Sequence, residues 1–410
     1  MFKKYNFNNL FFYLKENPSP IILFGAGDLG SLAKFAFDKI GIKITFFCDS
    51  DERKQKKIIE GIKVISPDEL YEFSNKKAHI FISHNYPSEV IDELIKNNFT
   101  LIYDCVEILK NTNFEHDHYL DYFKYSLQPQ KILRRIDFYS TMIQKNEHIK
   151  ENLINIKSID VQITERCSLK CKDCANLMQY YQKPENSNID RMFLSIEKLM
   201  KAIDSLDEFR LLGGDPFMNK DIGKIIEKLS SYEKVKKIVV YTNATIVPKG
   251  ENFEALKNKK IVLDITNYGA ESRKHDELIK LLNEFDIKYS TTRISKWTDS
   301  GRVLPFQDRS VKELKKMFVN CCNSDLLTLL HGNLFRCPFS ANGENIHAFP
   351  KKEEDSIDLM IPTSFEELRK KIFNLIYKKD YLLACNYCNG RDYSTKEIEA
   401  AVQTKIPLSF

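Results

Sequence analysis

Apolar and polar positions alternate in blocks along this chain, and the blocks change period. Residues 21–24 (IILF) form an apolar run that ends in a G-x-G-x-x-G turn at Gly25, Gly27 and Gly30. A helical stretch (SLAKFAFDKIG) follows, and then a second apolar run from Ile42 to Phe47, ending at Asp49. A strand, a glycine turn, a helix and a strand in that order are a Rossmann-type unit. Residues 79–84 (HIFISH) and 100–105 (TLIYDC) predict two further buried strands. Residues 1–112 therefore read as a small α/β domain with a parallel sheet, and residues 113–157, polar and helical with scattered aromatics, as a connector.

From Asp160 the alternation resumes. Strands are predicted at 159–163, 208–212, 236–242, 260–265 and 286–290, with helices between them, for instance at 190–206 and 221–231. A repeated βα pattern of this length predicts a partial (β/α)6 barrel of the TIM type, with chemistry at the C-terminal ends of the strands. Residues 321–392 read as an irregular, loop-rich segment, and 393–410 as a short helix (STKEIEAAVQ) with a loose tail. The predicted fold class is thus α/β throughout, with a small C-terminal domain.

Charge narrows the function little. Lys and Arg total 62 against 57 Asp and Glu, a net +5 spread along the chain, which gives no footprint for nucleic acid or a membrane surface. No apolar run approaches the roughly 18 residues of a membrane span, and the N-terminus shows no signal-peptide pattern, so a cytoplasmic protein is expected. In that compartment ten cysteines point to metal or catalysis rather than disulfides.

Eight of the ten fall into two sets. Cys167, Cys171 and Cys174 form C-x3-C-x2-C directly after a predicted strand. Three thiolates can hold one face of a [4Fe–4S] cube and leave the fourth iron open; a zinc site with a distant fourth ligand is the alternative. In the second set Cys322 and Cys337 are separated by 14 residues, Cys337 and Cys385 by 47, and Cys385 and Cys388 form C-x2-C. These four can hold zinc or a second cluster. Cys321 is left over from the doublet, either as a small buried residue or as the hydrogen-atom donor a radical epimerase needs, although spacing does not decide which of Cys321 and Cys322 is the ligand.

The first cysteine set, with Gly213-Gly214-Asp215-Pro216 after the strand EFRLL and Thr242-Asn243 after KKIVVYT, resembles the radical S-adenosylmethionine (SAM) superfamily over about residues 158–320. The resemblance implies that the three cysteines hold the cluster, that SAM binds the open iron, and that a 5′-deoxyadenosyl radical then takes hydrogen from substrate. It assigns SAM contacts to Gly213, Gly214, Asp215, Thr242 and Asn243, and to Asp264, Asn267, Ser272 and Arg293 after later strands. Two positions depart from the family pattern: Asp173 stands where an aromatic usually precedes the third cysteine, and Asp215 stands for a glutamate.

The second set resembles a twitch domain, the shortened relative of the SPASM domain, which implies one auxiliary [4Fe–4S] cluster on Cys322, Cys337, Cys385 and Cys388. Four thiolate ligands close such a cluster to substrate and leave it an electron relay. Relatives of this kind include aminocyclitol dehydrogenases. The N-terminal domain resembles modules found on enzymes of surface-polysaccharide synthesis. For it, Gly25, Gly27, Gly30 and Asp49, with His84 and Asn85 at another strand end, leave NAD, a nucleotide sugar or another phosphate, or a scaffold role all open.

The expected activity is oxidation or epimerisation of a sugar, nucleotide sugar or aminocyclitol, with a flavodoxin- or ferredoxin-type electron donor. Radical modification of a peptide or protein side chain and a non-enzymatic iron–sulfur redox sensor are the competing readings. Tyr268, Trp297 and Phe339 are candidate cavity aromatics, core packing being the alternative; the WTDSG segment at 297–301 has no derivable role.

Overall fold

The computed structural model describes residues 2–3, 5–73, 76–84, 87–114, 136–137, 139–140, 143, 152–391 and 395–410. Most of the expected connector, Asn85 and Ser394 lie outside the described residues. The chain divides into two compact units, Met1–Glu151 and Asn152–Phe410.

The first unit contains α1 (Phe7–Glu16), β1 (Ile21–Phe24), α2 (Asp28–Lys39), β2 (Phe46–Cys48), β3 (Ile58–Ile59), β4 (Ile62–Ile65), α3 (Pro67–Tyr71), β5 (His79–Ile82), α4 (Pro87–Lys96), β6 (Ile102–Asp104) and α5 (Val106–Lys110). Its sheet runs β3-β4-β2-β1-β5-β6, parallel except for the β3–β4 hairpin. All four residues of β1 and of β5 are buried, which is why these strands read as unbroken apolar runs. The SPDEL sequence starts α3 with a capping box, Ser66 and Glu69 each satisfying the other's backbone N–H, and Pro67 in the first turn.

The second unit begins with β7 (Asn155–Thr164), α6 (Ile189–Ala202), β8 (Ser205–Gly213), α7 (Ile222–Ser230), β9 (Val235–Thr242), α8 (Glu251–Ala255), β10 (Ile261–Asn267), α9 (His275–Glu284) and β11 (Tyr289–Arg293). It continues with β12 (Lys296–Thr298), α10 (Val311–Asn320), β13 (Leu327–Leu330), β14 (Asn333–Phe335), α11 (Pro338–Asn345), β15 (Ser356–Asp358), α12 (Phe365–Phe373) and β16 (Glu397–Glu399). The main sheet runs β11-β10-β9-β8-β7-β13-β14-β15, with six parallel strands from β11 to β13 and an antiparallel edge.

Two expectations are corrected here. The segment after residue 320 is not irregular: β13 lies parallel to β7 and extends the same sheet. Its turn into β14 is a two-residue connection, His331-Gly332, both at positive φ, the geometry of a hairpin turn that matches strand twist. The tail is not a helix either. Residues 397–399 pair with β12, and the backbone of Val402 and Thr404 bonds to Lys172 and Lys170 in the cysteine loop. Good helix formers are overridden there by pairing partners far away in sequence.

Candidate functional site

The first cysteine set follows the C-terminal end of β7, and its loop is stitched to the glycine loop at the end of β8. Gly214 N donates to Thr164 O (3.1 Å) and Asp215 N to Arg166 O (2.9 Å). A Cβ at Gly213 would lie 1.9 Å from Thr164 O, and one at Gly214 2.0 Å from Arg166 O. The glycine pair is required because two backbones touch. The resemblance assigns both glycines to SAM contact, and both line the cavity as well.

Asp215 is fully buried and does not line the cavity. Its carboxylate accepts from Phe217 N (3.0 Å), Thr242 Oγ1 (2.8 Å) and Asn243 N (3.0 Å). It therefore clamps the β8 and β9 loops together, a positioning task in which the shorter side chain fits. Burial pushes its pKa up against these hydrogen bonds.

Cys167, Cys171 and Cys174 line one cavity of about 310 Å³ together with Gly213, Gly214, Thr242 and Asn243. Asn243 Nδ2 reaches Cys167 Sγ at 3.5 Å, and Gln403 Nε2, from the tail, reaches Cys171 Sγ at 3.2 Å. Burial raises all three thiols, Cys171 to about 12, so binding a metal must displace protons. Tyr268 and Trp297 meet edge to face at 5.5 Å on the cavity wall, packed near the thiols.

Asp264, Asn267, Ser272 and Arg293 do not line this cavity. Asn267 Oδ1 accepts from Gly269 N (2.8 Å), and Ser272 Oγ accepts from Tyr268 N (2.8 Å), so both shape their own turn. Arg293 is exposed, beside Gly269. Asp173 forms an ion pair with Arg302, and a Cβ on Gly301 would lie 2.0 Å from Asp173 O. That contact gives the WTDSG segment its structural role: it packs along the cysteine loop.

In the second set the two members of the Cys321-Cys322 doublet, between which spacing does not decide, have different surroundings. Cys321, Cys337, Cys385 and Cys388 line a second, narrow cavity of about 40 Å³. Cys322 is exposed, its thiol directed to Asn323 Oδ1 at 3.6 Å. Cys321 ends α10 and turns inward, whereas the next residue turns out. Phe339, on α11, also lines this second cavity. Ala175, Asn323 and Arg391 line both cavities, and the positive charge of Arg391 bears on both Cys174 and Cys388. Among the described residues no three His, Cys, Asp or Glu side chains group closely enough to hold a metal ion between them; each cysteine set shares the wall of a cavity.

In the first unit a Cβ on Gly25 would lie 2.3 Å from Ser83 O, and one on Gly30 1.9 Å from Gly25 O. Asp49 accepts from Ala26 N (2.8 Å), Asp51 N (2.8 Å) and Lys54 Nζ (3.0 Å). The expected ribose-binding acid is thus engaged by the glycine turn, by its own turn and by Lys54. Of the three motif glycines only Gly27, at the N-cap of α2, would take a Cβ without collision, Lys54 Nζ lying 3.7 Å from it. His84 follows β5.

Residues 161–299 match the model of the Radical SAM superfamily. The chain carries a radical SAM domain. A GTP 3′,8-cyclase of Clostridium acetobutylicum is 31% identical over 131 residues, 32% of this chain and 39% of that enzyme. One from Helicobacter pylori is 27% identical over 212 residues, 50% of this chain and 63% of that enzyme. The chain spans less than two thirds of the length of either. Among solved structures, BtrN in complex with AdoMet and 2-DOIA aligns at a TM-score of 0.37 and 17% identity, over 62% of this chain and 98% of that one. Enzymes of the radical SAM superfamily use SAM and a [4Fe–4S] cluster, and three cavity-facing thiols beside a second wall of backbone and amide groups fit that pair. Among the described residues no helix is long and apolar enough to cross a membrane.

Proposed function

We propose that this radical SAM enzyme carries an auxiliary cluster and oxidises a small polar substrate, a sugar, nucleotide sugar or aminocyclitol. The observation that carries the reading is the common wall: Ala175, Asn323 and Arg391 face both cysteine-lined cavities. When bound, SAM and the first cluster supply hydrogen-atom abstraction, and a second, fully thiolate-ligated cluster supplies an electron acceptor nearby. Cys167, Cys171 and Cys174 hold the first cluster. The backbone of Gly213 and Gly214, with Thr242 and Asn243, bounds the SAM pocket, and Asp215 keeps that wall in place. Cys321, Cys337, Cys385 and Cys388 hold the second cluster. Cys321 is then a ligand and no longer available as a hydrogen-atom donor, which favours oxidation over epimerisation. All ten cysteines are unpaired, in keeping with a reducing, cytoplasmic setting and a flavodoxin- or ferredoxin-type donor. The packing of Gly25 and Gly30 and the engagement of Asp49 favour a scaffold role for the first unit.

Iron analysis after anaerobic reconstitution tests this. About eight irons per chain are expected, falling to about four in Cys321→Ala and unchanged in Cys322→Ala. About four in the wild type, or loss of iron in Cys322→Ala alone, would remove the electron-relay reading. A second reading, ring closure on a purine nucleotide, is favoured by the likeness to GTP 3′,8-cyclases, with Arg391 available to a phosphate. Consumption of GTP together with SAM would establish it in place of the first.

A further inference from the structure

Away from the thiols, the cavity wall contains a charged group that neither cysteine set uses. Asp160 on β7 and Arg210 on β8 are register partners, and their side chains approach to 3.1 Å (Oδ1 to Nε). The Arg210 guanidinium lies over the Tyr241 ring of β9 at 4.7 Å. Tyr241 is in turn the register partner of Asp264 on β10. Four consecutive strands of the sheet thus contribute one group each. The pair is close but misaligned: Asp160 Oδ1 and Arg210 Nε are buried, and neither has a hydrogen-bond partner.

Asp160 is 2% exposed. A buried ion pair lacking hydrogen bonds at Oδ1 and Nε is a cost to folding; the attraction of the pair and the Tyr241 ring offset part of it, but neither supplies those hydrogen bonds. A ligand would, because Asp160, Arg210 and Tyr241 line the same cavity as Cys167 and Gly213.

Charge selects the ligand class. Glu208 is answered by Lys237 at 2.7 Å. Within this four-strand group, among the described residues, the remaining cation is Arg210, which stands against two carboxyl groups, Asp160 and Asp264, both bearing on it; Arg391, the other arginine of the cavity, bears on the thiol of Cys174 instead. The group has no surplus positive charge for a phosphate or carboxylate. A hydroxyl both donates and accepts, and two neighbouring hydroxyls match an acid and a guanidinium standing side by side.

We propose that Asp160 and Arg210 anchor a ring bearing neighbouring hydroxyls, Asp160 accepting from one and Arg210 donating to the next, with Tyr241 holding the guanidinium in place. The proposal rests on the reading that substrate shares this cavity with SAM.

The test uses the anaerobically reconstituted holoenzyme with SAM, and myo-inositol as the probe, followed by saturation-transfer NMR. Saturable binding to the wild type is expected. It should weaken by roughly tenfold or more in Arg210→Met and in the nearly isosteric Asp160→Asn, as for loss of a charge-assisted hydrogen bond. Iron content and SAM affinity should stay at wild-type values in both. Three results would overturn the proposal: no saturable binding of myo-inositol to the wild type, equal binding in both variants, or loss of SAM affinity along with the probe, which would put the pair in the SAM pocket. Displacement of myo-inositol by inorganic phosphate would overturn the hydroxyl assignment. A wild type that binds myo-inositol but holds no cluster would leave the anchor standing and remove the catalytic reading.

Discussion

Each unit has a glycine turn at the end of an inner strand, and the two turns are built alike. In both, a Cβ would collide with backbone at about 2 Å (1.9 Å at Gly30, 2.0 Å at Gly214). In both, a buried aspartate, Asp49 or Asp215, gathers hydrogen bonds from a neighbouring loop. They differ in what lies beside the turn. Asp49 is satisfied by Ala26 of the glycine turn, by Asp51 of its own turn and by Lys54, so these groups of the first unit close on one another. The loops that Asp215 ties together instead wall a cavity that is also lined by three thiols and the incompletely bonded Asp160–Arg210 pair. A glycine motif reports close backbone approach in either case. What separates packing from binding is whether polar groups beside it are left wanting partners.

Cysteine substitutions should break the comparison most sharply. Cys174→Ala is expected to lower 5′-deoxyadenosine formation by about a thousandfold or more, since a metal ligand is lost outright. Cys48→Ala, in the buried core of the first unit, should leave it unchanged and cost about 1 kcal/mol of stability. Cleavage that survives in Cys174→Ala would remove the first cluster from its assigned ligands.

The glycines come next. Gly214→Ala forces the β8 loop off the cysteine loop, with an expected loss of about 3 kcal/mol and most SAM cleavage. Gly30→Ala should cost a similar amount in the first unit's unfolding transition while cleavage persists. Gly27→Ala, where a Cβ would make only an ordinary contact with Lys54 Nζ, should stay within about 1 kcal/mol of the wild type. Equal loss of cleavage in all three would mean that the two units are coupled.

Much of this was legible in the sequence, and the gaps have physical causes. β1, β5, β7 and β9 are buried in the sheet, so their apolar runs stood out. β11 was expected about three residues early because it is mostly exposed and carries no apolar signal. β13 and β14 are short and lie inside a stretch dominated by cysteine spacing, yet Leu330-His331-Gly332-Asn333 is a readable hairpin signal. The choice between Cys321 and Cys322 depends on which way adjacent residues turn after α10. The Asp160–Arg210 pair depends on strand register, and Gln403 reaches Cys171 from 232 residues away; no local pattern encodes either.

Asp215→Asn tests the clamp itself. The variant keeps one acceptor oxygen but turns an amide N–H2 toward donors on one side, so one or two of three hydrogen bonds are lost. About 2 kcal/mol of stability should go with them, and SAM affinity should fall because Thr242 and Asn243 lose their anchor. Asp49→Asn should cost a comparable amount in the first unit with SAM affinity intact. If Asp215→Asn binds SAM normally, the clamp does not organise the SAM wall.

The smallest expected effect is also the most specific. Burial pushes the Asp160 carboxyl up to about 6, Arg210 opposing the shift and Glu208 adding to it. In the unfolded chain the same group titrates near 4. The folded state therefore holds this proton more tightly, so its contribution to stability is fully present below about pH 4 and is lost as pH rises through about 6. The stability of the wild type relative to Asp160→Asn should fall by on the order of 2 kcal/mol between pH 4 and pH 7, read as midpoint shifts in urea at each pH. Removing the carboxyl also takes a counter-charge from Arg210, but that offset is constant above pH 6, so the slope below it carries the information. A flat difference would mean that water satisfies the carboxyl, and the contrast with the self-contained turn at Asp49 would then rest on the thiols alone.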